Sequence, residues 1–248
     1  MKKIFLILLA IVSVVFLFVS CTPTTPTEEE GEGEGEGETE IVSRVVMVEL
    51  FTSHCPNCII VEPILEEIAD EYERTEMILV EVGTWGSTIT VGGNDRYTWY
   101  LPDIFQRTTP NTFFNGGNRI WKVASKYLFK SKIVAELAKD ANISINVNKT
   151  ENSGNTTLSG NIKNISTSSL DNLVINGMIF KDNNITGEKY MVSKIIKDTT
   201  EIGVTLASGA EQSFEFILEG LSWLSSVQGV IFVQDSSTKE ILQAKYVE

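Results

Sequence analysis

The sequence predicts two folded units of different class: an α/β unit with a mixed sheet flanked by helices over residues 41–142, then an all-β sandwich over residues 143–248. Three observations predict it. Up to about residue 141, short apolar runs of strand length are interleaved with segments of helical period. From Asn142 onward the apolar residues recur every second position. Turn-rich breaks, such as Asn152-Ser153-Gly154-Asn155 and Asp235-Ser236-Ser237, then separate the runs. A length of 248 residues with 42% hydrophobic residues is enough for two packed cores once any processed segment is set aside.

The elements follow in order. Met1-Lys2-Lys3 precedes an apolar run broken only at Ser13 and ending at Val19, which reads as a secretory signal over residues 1–20. Residues 22–40, TPTTPTEEEGEGEGEGETE, hold no residue that could enter a core, and eight glutamates fall between Glu28 and Glu40. Residues 21–40 are therefore expected to be an extended, self-repelling spacer. Val45 to Phe51 is an apolar strand. Cys55 to about Arg74 reads as a helix, with Ile60, Ile64, Ile68 and Tyr72 on one face, and Met77 to Val82 as a second strand. Gly83 to Tyr100 is rich in Gly, Thr and aromatics, and a short helical segment follows near Pro102 to Gln106. Thr112-Phe113-Phe114, the turn Asn115-Gly116-Gly117 and Arg119 to Val123 make a hairpin, and a helix from about Ser125 to Ala141 closes the unit. Beyond it, Ile143-Ile145-Val147, Leu158-Gly160-Ile162 and Phe214-Phe216-Leu218 alternate with polar residues, as expected of an immunoglobulin-like sandwich of about seven strands.

Composition narrows the function. The formal net charge is -13, and the chain stays acidic without the spacer, which argues against a nucleic-acid partner held by a basic face. Ser20-Cys21 resembles the lipobox of bacterial lipoproteins, in which the cysteine becomes the lipid-bearing first residue. That resemblance implies lipidation at Cys21, tethering to a membrane and location in the cell envelope. It leaves Cys55 and Cys58 as the remaining cysteines, in a setting where disulfides persist.

The stretch SHCPNCII places Cys55 and Cys58 around Pro56-Asn57, beside His54. If Cys55 caps the helix, with Pro56 in its first turn, its sulfur faces unpaired backbone donors and the positive dipole end. A thiolate is stabilised there, which would make Cys55 the nucleophile and Cys58 the resolving thiol. His54 could add positive charge. Two other readings stay open: half of a zinc site, which lacks a second ligand pair, and a disulfide that only staples a turn.

VMVELFTSHCPNCIIVEPILEEIADEY resembles the active-site strand and helix of thioredoxins, including Pro63 five residues after Cys58. The resemblance continues through Met77 to Val82, through Thr109-Pro110 at the family's cis-proline position, and through the closing helix, covering about residues 43–142. It implies a thioredoxin-like fold and thiol–disulfide exchange with protein or peptide substrates. Cys55 would attack, Cys58 resolve, Thr109 and Pro110 lie against the dithiol and pair with the substrate backbone, and Glu49 be the buried acid relaying the Cys58 proton. Pro56, Asn57 and His54 would border the substrate. No organic cofactor and no metal are implied; a redox partner and a lipid-held membrane are. The Pro-Asn dipeptide and the missing tryptophan before Cys55 depart from thioredoxin itself, so net direction is open. Trp85, Tyr97, Trp99 and Tyr100 either line a groove or cover a sheet edge. The competing reading is a redox-inactive envelope binding module on the same scaffold; a peroxidase is disfavoured because no distant resolving cysteine exists.

Overall fold

The structure, a computed structural model, describes residues 42–53, 55–85, 89–183, 188–197 and 204–247. The expected leader, Cys21, the acidic spacer and His54 lie outside the described residues. Elements of the first half are β1 (Val46–Thr52), α1 (Cys58–Ala69), β2 (Met77–Gly83), α2 (Gly93–Tyr100), β3 (Asn111–Phe114), β4 (Asn118–Trp121) and α3 (Lys126–Leu137). The second half supplies β5 (Ile143–Asn152), β6 (Asn155–Asn164), β7 (Leu170–Asn183), β8 (Glu188–Lys197), β9 (Val204–Leu206), β10 (Glu211–Leu218), β11 (Val227–Asp235) and β12 (Ile241–Val247).

The expected fold class is overturned. The chain is mostly strand, and it is not a helix-flanked α/β unit followed by a separate sandwich. A nine-stranded mixed sheet runs in the order β12-β11-β7-β8-β2-β1-β3-β4, with β9 paired to β7; β10-β6-β5 form a second, three-stranded sheet. β1 pairs parallel with β2 in register Val46↔Met77 to Thr52↔Gly83, and antiparallel with β3. The seam between halves is the parallel pairing of β2 with β8 at Glu81↔Met191, supported by the bridge Val91↔Lys194.

The physical reason lies in which strands are buried on both faces. On β7, Met178 and Phe180 enter one core while Ile175 and Ile179 enter another; on β11, Val230 and Phe232 do the same against Ile231 and Val233. Strands of that kind read as continuous apolar runs and belong in the middle of a layered sheet. Met178, Phe180, Val230 and Phe232 share one buried core with Ile78, Val80 and Val82 of β2 and with Tyr97 and Tyr100 of α2, so strands of the second half help fill a face on which only flanking helices were expected. The opposite face of the first half-sheet packs Val46, Val48 and Leu50 against Val61, Leu65 and Ile68 of α1 and Phe129 and Ile133 of α3.

Three local differences follow. The aromatic-rich segment from Gly83 to Tyr100, which carried no assigned element, ends in α2, with Tyr97 and Tyr100 buried against Phe51 and Phe113. The helical segment near Pro102 is one 3-10 turn, Ile104–Gln106. α1 begins at Cys58, with Asn57 as its N-cap, rather than at Cys55.

Candidate functional site

β1 ends in the core and delivers the chain to the C-terminal edge of the sheet, where residues 55–57 turn into α1. Cys55 and Cys58 stand as a disulfide pair with Cα atoms 4.9 Å apart. Cys58 is fully buried and Cys55 half-buried, while Pro56 and Asn57 are exposed. Asn57 caps α1 without a side-chain hydrogen bond, so the first-turn amides are left to other acceptors. The Cys58 amide donates to Cys55 Sγ at 3.1 Å.

The loop before β3 completes the site. The Thr109-Pro110 peptide is cis, Pro110 is buried, and Thr109 O lies 3.6 Å from Cys55 Sγ. The hydroxyls of Ser53 and Thr109 are 2.6 Å apart, fixing the loop to the end of β1. Asn111 holds it from below, its Nδ2 donating to Thr108 O at 2.8 Å and to Tyr97 Oη at 2.5 Å. Burial pushes the Tyr97 hydroxyl up to about 12, against the opposing effects of Asn111, Arg119 and Arg107. Pro63 sits inside α1, where it removes one backbone donor.

Glu49 is not brought to the dithiol. Alternation along β1 places it with Met47 and Phe51, on the face away from α1. It is fully buried, bound by Arg96 Nε at 2.5 Å and Nη2 at 2.8 Å and by the Tyr100 hydroxyl at 2.6 Å. Arg96 and Tyr100 in turn reach Gln234 of β11. Burial disfavours the Arg96 charge, but the adjacent Glu49 carboxylate overcomes it and raises its pKa. Burial holds the Tyr100 hydroxyl neutral, well above its ordinary range, against the pull of Arg96.

A different carboxylate shares the α1 face. Glu62 lies one helical turn beyond Cys58, a spacing that puts side chains about 5–6 Å apart at Cβ. The Thr52 hydroxyl donates to Glu62 Oε1 from the last residue of β1. The i,i+4 interval was visible in the sequence; that Thr52 and Cys58 point to the same side of the sheet was not. Tyr97 and Tyr100 belong to the core, whereas Trp85 is 79% exposed and Trp99 37%. Among the described residues, no group of three or more His, Cys, Asp or Glu converges as a metal site.

No family model matches the chain, and no curated protein matches it. Among solved structures, HBP35 of Porphyromonas gingivalis aligns with a TM-score of 0.59 at 16% identity, over 83% of this chain and 75% of that one. That likeness shows a shared fold across both halves of the chain. A domain of the outer membrane lipoprotein Omp28 from Porphyromonas gingivalis aligns over 44% of this chain and 88% of that one, at 14% identity and a TM-score of 0.32.

Proposed function

We propose that the chain is an envelope-tethered thiol–disulfide oxidoreductase acting on protein or peptide disulfides through Cys55 and Cys58. The observation that carries the reading is a half-buried sulfur, Cys55, with an amide donor on one side and the carbonyl of Thr109 on the other, beside buried Cys58. The landmarks resembling thioredoxins support it, and the leader with Ser20-Cys21 supports lipid tethering in the cell envelope.

In the reducing direction, the Cys55 thiolate attacks one sulfur of a substrate disulfide, forming a mixed disulfide and releasing the other substrate sulfur as a thiolate that takes up a proton. Cys58 then gives its proton to a base and attacks Cys55 Sγ. The mixed disulfide breaks, the second substrate sulfur leaves with the electron pair, and the Cys55–Cys58 disulfide forms: the substrate gains two electrons and the dithiol loses two. Because Cys58 is closed to solvent, its proton needs a protein acceptor, and Glu62 is the carboxylate placed one turn away on that face. Supply of oxidant in place of reductant would run the same steps backwards.

Insulin reduction by the full chain tests the reading. Cys55→Ser should abolish turnover, and Cys58→Ser should accumulate the mixed disulfide, seen as a mass increase removed by dithiothreitol. Turnover that survives Cys55→Ser would refute it. The enclosure of Glu49 away from the sulfurs favours the second reading, a redox-inactive binding module; that reading predicts no insulin reduction by the wild type at all.

A further inference from the structure

Beside the cis-proline loop lie three cations that no carboxylate among the described residues answers. Arg107, two residues before Thr109, donates Nη1 to Thr98 Oγ1 at 2.5 Å, and its Nε has no hydrogen-bond partner. On β4, the Arg119 guanidinium carbon lies 5.5 Å from the centroid of the Trp121 ring, and Nη1 meets Gln106 Oε1 at 3.4 Å. Lys122 Nζ lies 4.7 Å from the same ring. Among the described residues, none of the three forms an ion pair, while Lys126 and Lys130, just beyond, are paired with Glu67 and Glu71. The carboxylate of Asp103 is occupied by the Phe105 amide and Gln106. Three uncompensated cations in one patch stand out in a chain of net charge -13.

The patch is fixed to the dithiol site. Trp121 Nε1 donates to Thr108 O at 2.9 Å and to Thr108 Oγ1 at 3.0 Å, so the aromatic plane is anchored to the residue preceding Thr109, whose carbonyl faces Cys55. Trp121 is 38% exposed and Phe105 84%. Among the described residues β4 ends the path of the large sheet, leaving the outer side of that strand to extended chain.

We propose that Arg107, Arg119, Lys122 and Trp121 form a docking platform for an acidic, extended polypeptide segment of the protein whose disulfide is exchanged. The docked segment is a substrate only if the oxidoreductase reading holds; docking itself does not need the chemistry. Carboxylates of the segment meet the guanidiniums and the ammonium, its apolar residues lie on Trp121 and Phe105, and the backbone continues past Thr109 toward Cys55. Cationic segments are repelled at the same place, which gives selection by charge rather than by size.

The test uses the full chain in detergent micelles and two short peptides of equal length, one rich in Glu with a Phe, the other with Lys in place of Glu. With serine at the central position, binding is read alone; with a central cysteine in mixed disulfide with a small thiol, reduction is read as well. The Glu peptide should bind, and be reduced, at least about tenfold better than the Lys peptide at about 0.01 M ionic strength, with the preference shrinking at about 0.15 M. Arg107→Gln, Arg119→Gln and Lys122→Gln combined should erase the preference, and Arg119→Lys with Lys122→Arg should keep it. Equal binding of the two peptides, or a preference that survives charge removal, overturns the platform. Tighter binding of a peptide of residues 28–40 than of the Glu peptide overturns the substrate assignment in favour of the chain's own acidic segment. Binding of the Glu-serine peptide with no reduction of its cysteine counterpart defeats the oxidoreductase reading and leaves the platform standing.

Discussion

Two carboxylates, Glu49 of β1 and Glu62 of α1, stand on opposite faces of the sheet. Glu49 is closed between Arg96 and Tyr100, and removing its charge leaves a buried guanidinium uncompensated. Breaking such a pair costs about 3–5 kcal/mol, so Glu49→Gln should lower Tm by about 10 °C. Because the pair lies on the face away from α1, the rate of disulfide exchange per folded molecule should stay near wild type below the transition. Glu62→Gln should do the reverse. The shape of the Thr52 contact is kept and stability hardly moves, while the step in which Cys58 resolves the mixed disulfide slows by about a hundredfold. Stopped-flow formation and decay of the mixed disulfide separates the two: the decay phase is slowed and the formation phase is not. A resolution rate unchanged by Glu62→Gln, with slow decay in Glu49→Gln instead, would return the proton to Glu49.

Among the elements, the β3–β4 hairpin does more than return the chain. Asn115 and Gly116 both have positive φ, 44° and 70°, the turn geometry that Asn-Gly favours. A Cβ on Gly116 would stand 2.0 Å from Lys239 O, in the turn between β11 and β12. That turn is also tied to the first half by the Ile241 amide, which donates to Asn115 O at 2.9 Å. Gly116→Ala must therefore displace backbone and occupy a strained φ, and should cost about 2–3 kcal/mol, read as a fall in denaturation midpoint without change in m-value. A change within a few tenths of a kcal/mol would show that the contact yields freely. The hairpin, β1, β2, α1 and α3 were legible in the sequence because period, turn residues and helix length are local signals. The placement of β7 and β11 was not. Their runs, NLVINGMIF and VIFV, do carry the mark of burial on both faces, but alternation elsewhere in the second half masked it, and no local signal states which edge a strand will join. The Cys55–Cys58 pair was legible for the same local reason, whereas the cation patch depends on Arg107 and Arg119 coming near Tyr97 from separate elements.

For the whole of residues 42–247, the consequence is that the thiol site rests on strands that come last in the chain. β2 has β8 on its outer edge, and Ile78, Val80 and Val82 share their core with Met178, Phe180, Val230 and Phe232. The start of β1 is held by β12: the Val45 amide donates to Gln243 Oε1 at 2.9 Å, and Arg44 Nη2 reaches Ile241 O at the same distance. Gln234 of β11 completes the Glu49 network. A chain cut after residue 142 thus loses the cover of an apolar face, an edge partner and a buried polar partner at once, each of which costs free energy to expose or leave unmet. It should show no cooperative thermal transition and should bind a hydrophobic dye, and it should not reduce insulin even though both cysteines, Pro110 and Glu62 are present. The full chain should unfold in one transition, with near-ultraviolet and far-ultraviolet circular dichroism giving the same midpoint. A cooperative melt of residues 42–142 alone would show that the first half-sheet holds its own core, and that the second half is an attachment rather than part of the fold that positions Cys55.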